Sequence, residues 1–186
     1  MKKYIFALTA VMLLASACAV KYTMKKDYDF SKIKRIAVIN FSDNSGFRNS
    51  GEVVADEFDM QMIGKGYNVI ERNKIEVLLR ERQIADLSDY KQIGRLLGVD
   101  AIITGSVIKY HENMEQTVYF TDSTGKMTSQ IIMTQAEVEI SARMIDAATG
   151  EIVWTARNGD VAFELSDAVG YCVSGVIDVL KNLKLK

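Results

Sequence analysis

The sequence predicts an α/β fold, a single domain in which helices flank a mixed β-sheet and one β-hairpin projects from it. Short apolar runs, typical of strands covered on both faces, alternate with stretches whose apolar residues recur every three or four positions, as on a helix. The chain of 186 residues is also long enough for one domain with a proper core. The predicted order of elements is β-α-β-α-α-β-β-β-α.

The first predicted strand and helix occupy residues 36–65. Residues 36–41 are apolar except for Asn40, and turn-forming residues follow at 43–46. A helix is predicted over about 50–65, where glycines at 64 and 66 mark its end. Its inward stripe consists of Val54, Phe58 and Met62.

A short strand and two helices are predicted next. Residues 67–70 form the strand, and a helix over about 74–83 carries Ile75, Leu78 and Leu79 on its inner face. A third helix ends at Gly98 and has its apolar stripe at Ile93, Leu96 and Leu97.

The C-terminal half predicts three more sheet strands and a helix. Residues 101–110 form a strand, and 136–145 alternate apolar and polar residues, which indicates one buried face. A tight turn at 146–150 leads to a strand at 152–154. Between these strands, the polar segment 111–135 is predicted to be the projecting hairpin. The last helix has a broad apolar stripe: Leu165, Val169, Cys172, Val173, Val176, Ile177 and Leu180.

The N-terminus has the pattern of an export signal. Lys2 and Lys3 precede an apolar run over 4–14, which is shorter than the roughly 20 residues that a membrane-spanning helix needs. Small residues at 15–17 then lead to Cys18, and this segment resembles a lipobox. We expect residues 1–17 to be cleaved and Cys18 to be lipidated. A plain secretory signal with an incidental cysteine is the alternative.

The residues after Cys18 predict where the protein resides. Bacterial lipoproteins that stay at the inner membrane tend to carry aspartate after the cysteine, and here the residue is Ala19. We therefore expect an outer-membrane protein that faces the periplasm. Residues 18–31 are predicted to be the lipidated N-terminus and a polar tether, and residues 32–186 the periplasmic α/β domain.

Charge and cysteine content exclude two classes of protein. Without Lys2 and Lys3 the chain carries 21 basic and 24 acidic side chains, a net charge of −3, which gives no reason to expect nucleic-acid binding. If Cys18 carries lipid, Cys172 has no cysteine left in the chain to pair with. A disulfide-stabilised scaffold is therefore not expected.

The sequence gives little support to catalysis. The single histidine, His111, ends a predicted strand, where a solvated residue is more common than a general base. Cys172 lies among valines on a helical stripe, as a small core residue would. The loop at 43–46 lacks the Gly-Lys-Ser/Thr ending of a phosphate-binding loop. We predict no catalytic residue, no cofactor and no metal site, and hence a protein that is not an enzyme.

Four segments in order resemble a known family. They are IAVINF followed by SDNSG (36–46), YNVIER with IEVLLRER (67–82), GRLLGVDAIITGSV (94–107) and DAATGEIVW (146–154). Behind a lipobox, they resemble the CsgG family, the curli-type assembly and transport lipoproteins, over about residues 34–184. The glycines in these segments also have structural reasons. Gly98 ends a helix, Gly105 permits a bend or close backbone approach, and Gly150 supplies a positive φ in a turn.

The resemblance implies a non-enzymatic lipoprotein. It would act in assembly or export of an envelope or extracellular component through protein–protein contacts, as a homo-oligomer. A secretion-channel subunit is a narrower form of this function. The alternative is a lipoprotein activator of a peptidoglycan synthase (penicillin-binding protein), which shares a similar domain but reaches its partner on a long linker.

Segment 111–135 is the candidate surface for a protein partner. A membrane-spanning strand needs about 9–11 residues with an apolar outward face, whereas both faces of this segment mix polar and apolar residues. We therefore expect a hairpin that is exposed to water or bound to a partner. Its candidate contact residues are His111, Glu112, Met114, Tyr119 and Phe120.

Overall fold

The computed structural model describes residues 20–81 and 89–181, so the predicted signal peptide and Cys18 lie outside the described residues. The elements are β1 (Lys21–Met24), a 3-10 helix (Phe30–Lys32), β2 (Arg35–Val38), α1 (Ser50–Gly64), β3 (Asn68–Val69), α2 (Arg72–Glu81), α3 (Tyr90–Leu97), β4 (Ala101–His111), β5 (Glu115–Thr121), β6 (Met127–Met133), β7 (Ala136–Asp146), β8 (Ile152–Ala162) and α4 (Leu165–Lys181).

Six of the strands form one mixed sheet in the order β1-β8-β7-β4-β2-β3. Strand β2 is parallel to β3 and β4, whereas β4, β7, β8 and β1 are successively antiparallel. Strands β5 and β6 form a separate two-stranded sheet. The predicted α/β class is therefore confirmed.

Helices cover the two faces of the sheet unequally. Helices α1 and α4 pack on one face over the main core, where Phe41 stacks on Phe58 at 5.0 Å between ring centroids. The second face has a smaller core under α2 and α3, which includes Ile75, Ile93 and Ile102. On that face of β7 and β8, Arg143, Thr155 and Arg157 are exposed.

The N-terminal part of the fold differs from the prediction. The sequence predicts a tether over 18–31, but Lys21–Met24 pair with β8 as an edge strand, and the Lys25 backbone N–H donates to the Val153 carbonyl at 2.9 Å. Val20 and Met24 pack against the main core. A four-residue strand with two polar residues has too short an alternation to be detected. From Lys21 onward this segment therefore belongs to the domain.

Strand β8 is longer than the predicted 152–154. It extends to Ala162, and the polar side chain of Asn158 can face inward within it because that side chain is hydrogen-bonded to the last helix. The Asn158 side chain donates to the Cys172 carbonyl at 3.1 Å, and the Cys172 thiol donates to the Asn158 carbonyl at 3.2 Å. A polar residue at an inward position hides the alternation on which the prediction depends.

The glycine positions in the quoted segments have the expected geometry. Gly98 and Gly150 have φ values of 61° and 73°, which favour glycine. A Cβ on Gly105 would lie 2.0 Å from the Ser141 carbonyl oxygen and 2.5 Å from the Phe41 ring. Gly105 thus permits the close approach of a neighbouring strand and a core ring.

Candidate interaction surface

The two residues considered for catalysis lie in different surroundings, one exposed and one buried. His111 ends β4 at an exposed position opposite Glu137 of β7. Cys172 is fully buried, and burial raises the pKa of its thiol to about 12, so the reactive thiolate is not formed near neutral pH. Within residues 20–81 and 89–181, no three His, Cys, Asp or Glu side chains are grouped to hold a metal ion.

No helix in the described part of the chain is long and apolar enough to cross a membrane.

The β5–β6 hairpin is held at its tip by a capped turn. The Asp122 carboxylate accepts hydrogen bonds from the Thr124 backbone N–H at 2.8 Å, the Thr124 hydroxyl at 2.6 Å and the Lys126 backbone N–H at 3.1 Å. These hydrogen bonds lower the pKa of Asp122. Gly125 has φ of 83°, as this turn requires. The sequence therefore encodes a defined turn at the tip.

The base of the hairpin is fixed by Met114 and Thr134. The Met114 N–H donates to the Thr134 hydroxyl at 2.9 Å, and the Thr134 N–H donates to the Met114 carbonyl at 2.9 Å. Both strands are therefore in register from base to tip, with seven cross-strand pairs.

Apolar side chains on the hairpin are exposed to solvent. Tyr119, Met127 and Ile131 are 69%, 71% and 64% exposed, respectively. Apart from Glu115, the two strands carry no charged side chain. Every cross-strand pair joins an apolar residue to a polar one, for example Tyr119 to Ser129 and Phe120 to Thr128. Each face of the hairpin thus presents a broken apolar stripe.

The five predicted contact residues are spread over different parts of the hairpin and the main sheet. Tyr119 and Phe120 are neighbours on β5 and therefore project from opposite faces of the hairpin. Met114 lies at the base, Glu112 just before it, and His111 belongs to the six-stranded sheet. These five residues do not form one patch.

Sequence reasoning missed the apolar residues of β6. Met127, Ile131, Ile132 and Met133 are exposed and face solvent beside β5. The run of Ile131 to Met133 was a detectable signal, because three consecutive apolar residues on a two-stranded sheet cannot all be buried.

A buried carboxylate fastens the N-terminal segment to the domain. Asp146, at the end of β7, is 1% exposed and accepts a 2.6 Å hydrogen bond from the Tyr28 hydroxyl. It also forms a 2.9 Å ion pair with Lys32 and accepts the backbone N–H groups of Ala148 and Thr149 at 2.9 Å. Burial alone would raise the pKa of Asp146, but these hydrogen bonds hold it well below its usual range.

Strand β1 begins on the side of the sheet from which the hairpin extends. Strand β4 ends at His111, β7 begins at Ala136 and β8 ends at Ala162, all at this end. Because β1 is antiparallel to β8, it enters the sheet from the same end.

Comparisons with known proteins agree with this fold. The family described as curli production assembly/transport component CsgG matches residues 18–182. A PelC dodecamer from Paraburkholderia phytofirmans is similar with a TM-score of 0.55 and 15% identity, covering 89% of this chain and 98% of that one. Lipoprotein GNA1162 from Neisseria meningitidis has a TM-score of 0.52 and 18% identity, covering 80% of this chain and 99% of that one. No curated protein sequence matches.

Proposed function

The chain belongs to the family of curli production assembly/transport components, as the four segments indicated, and from that premise we propose its role. It is a non-enzymatic lipoprotein, anchored through Cys18 in the outer membrane and facing the periplasm. It forms a homo-oligomer and acts in assembly or export of an envelope or extracellular component through protein–protein contacts.

The main support for this proposal is the exposed apolar surface of the β5–β6 hairpin. An isolated two-stranded hairpin is marginally stable in water, and this one exposes several large apolar side chains, among them Tyr119 and Met127. Covering them with a partner would stabilise the hairpin. Each strand has seven residues, fewer than the 9–11 that cross a membrane, and both faces are interrupted by polar residues. These features favour a protein partner over lipid.

Two further observations support the oligomer and the anchor. PelC from Paraburkholderia phytofirmans, which shares this fold, forms a dodecamer. Strand β1 begins three residues after Cys18, so lipid on that cysteine would hold the domain against its membrane.

The alternative of a peptidoglycan synthase activator has less support. Such a protein needs a long linker to reach a synthase across the periplasm. Here the segment after Cys18 enters the sheet at Lys21 and is fastened again through Tyr28 and Lys32 to Asp146. Little free chain remains to extend the domain away from the membrane.

Site-specific photo-crosslinking in cells tests the proposal. A photoreactive phenylalanine replaces Tyr119 on the hairpin or, as the matched control, Tyr171 on α4, since both tyrosines are exposed. We expect protein adducts from position 119 and few from 171. Adducts with lipid alone, or equal adducts from both positions, would contradict a hairpin that binds protein.

A further inference from the structure

We propose that two opposite sides of this molecule bind each other in neighbouring copies. The β1 edge of one copy, residues 21–26, would dock into the groove between α1 and the start of α2 on the next copy. This proposal rests on the oligomer proposed above and names the surfaces that form it. The proposal is based on two exposed surfaces that have opposite charge and that each expose apolar side chains.

The groove is acidic. It has a volume of about 520 Å³, and its lining includes the carboxylates Glu52, Asp56, Asp59 and Glu71 around Arg72. Arg72 forms 2.7 Å ion pairs with both aspartates and compensates only one of the four negative charges. The groove therefore retains a net negative charge that no contact with a described residue neutralises.

The helix beside the groove also exposes apolar surface. Met60 and Ile63 on α1 are each 61% exposed, and Val53 is 43% exposed. These residues lie on the outward stripe of α1, whereas Val54, Phe58 and Met62 face the core. An acidic groove bordered by apolar side chains is suited to a basic segment that also offers an aromatic ring.

The β1 edge has the complementary composition. Lys21 and Lys26 form no ion pair with any described residue, and Lys25 binds Glu151 at 2.6 Å. Tyr22 is 51% exposed between them. Strand β1 pairs with β8 along one side, and within the described residues no strand pairs with its other side. Such an edge is open to another chain.

The position of the two surfaces in the sheet sets the symmetry of the contact. Strand β1 is at one edge and β3, beside the groove, is at the other. A contact between two different surfaces is heterologous, and it generates a closed ring where the rotation closes. The same pair of surfaces would then be used at every subunit boundary.

Charge reversal tests the contact with the lipidated protein extracted in detergent. The edge variant carries Lys21→Glu and Lys26→Glu, and the groove variant carries Glu52→Lys and Glu71→Lys, all at exposed positions.

Each of these two variants should raise the protein concentration needed for half-assembly by at least about tenfold, measured by mass photometry and sedimentation velocity. The variant with all four changes should recover assembly. Lys91→Glu with Arg95→Glu, on α3, is the control and should assemble normally.

The outcomes separate this inference from the proposed function. A wild-type protein that remains monomeric would contradict the proposed oligomer. A wild-type oligomer that neither variant weakens, or that the combined variant does not restore, would overturn the edge-to-groove contact alone. So would an edge variant that loses binding to phosphatidylglycerol vesicles but assembles normally, because the lysines would then contact anionic lipid.

Discussion

At the scale of single residues, Asp146 connects the N-terminal segment around Tyr28 and Lys32 to the rest of the domain. Its carboxylate is buried and receives four donors, two of them from the N-terminal segment through Tyr28 and Lys32. Hydrogen bonds to a charged group contribute more than neutral ones. The N-terminus of the domain is thus held at the turn between β7 and β8.

Asp146→Asn should lower the free energy of unfolding by about 2 kcal/mol at pH 7, because the amide loses the ion pair and the charged hydrogen bonds. The pKa of Asp146 is lowered in the folded state, so its full contribution is present above the unfolded pKa, about 3.9. It is lost progressively as pH falls from there through the lower pKa of the folded state. Urea unfolding at pH 7 and pH 3 measures both effects. The variant should lose less stability than wild type on acidification, and Glu112→Gln, an exposed control, should behave as wild type.

Cys172 should be inert in the folded protein. It is buried and its pKa is raised to about 12, so a bulky maleimide should modify it only after denaturation. Cys172→Ala should cost about 1–2 kcal/mol, as expected when a small buried group is removed. Rapid labelling of the native protein, followed by mass spectrometry, would show instead that the thiol is accessible.

At the scale of elements, β1 and β8 show where sequence patterns stop being informative. The alternation in β7 is long enough to read, whereas β1 has four residues and owes its position to pairing with β8 and to packing of Val20 and Met24. In β8, the inward residue Asn158 is polar and therefore breaks the apolar pattern. Its hydrogen-bond partner, Cys172, lies on the last helix, so the local sequence does not show why a polar residue can face inward there. Tertiary contacts decide both elements, and the sequence alone does not display them.

The hairpin is the element that separates a protein contact from a lipid contact. Single cysteines from Glu112 to Phe120, in a Cys172→Ala background, can be probed in outer-membrane vesicles with a water-soluble thiol reagent. We expect labelling at polar positions on both faces, and any protection should disappear when a protein partner is stripped off. Protection of every second residue that survives partner removal but not detergent would mean that the hairpin contacts lipid.

At the scale of the whole molecule, the order of elements from β2 to α4 could be predicted because each buried element carries its own periodicity. The apolar residues of 36–41, the helical stripe at Val54, Phe58 and Met62, and the apolar face of the alternating segment 136–145 all lie in the core. The candidate surface was harder to predict. The apolar residues of the hairpin face solvent because the hairpin forms a sheet separate from the main one. The periodicity of the sequence does not reveal that separation.

The proposed lipid anchor at Cys18 can be tested through the localisation of the whole molecule. Cys18→Ala should abolish incorporation of a palmitate analogue and leave either uncleaved precursor or soluble periplasmic protein. Because every described element begins after Cys18, the folded domain should keep its stability. Metabolic labelling followed by fractionation measures this, and label that persists in the variant would exclude Cys18 as the acylated residue.

The central claim is that this protein works as an assembly built through protein contacts. Single-particle electron microscopy of the full-length protein, extracted from membranes in detergent, tests it most directly. We predict a closed ring of identical subunits with all hairpins projecting from the side that carries the lipidated N-termini. A homogeneous population of monomers, at a concentration that preserves other membrane assemblies, would contradict the claim.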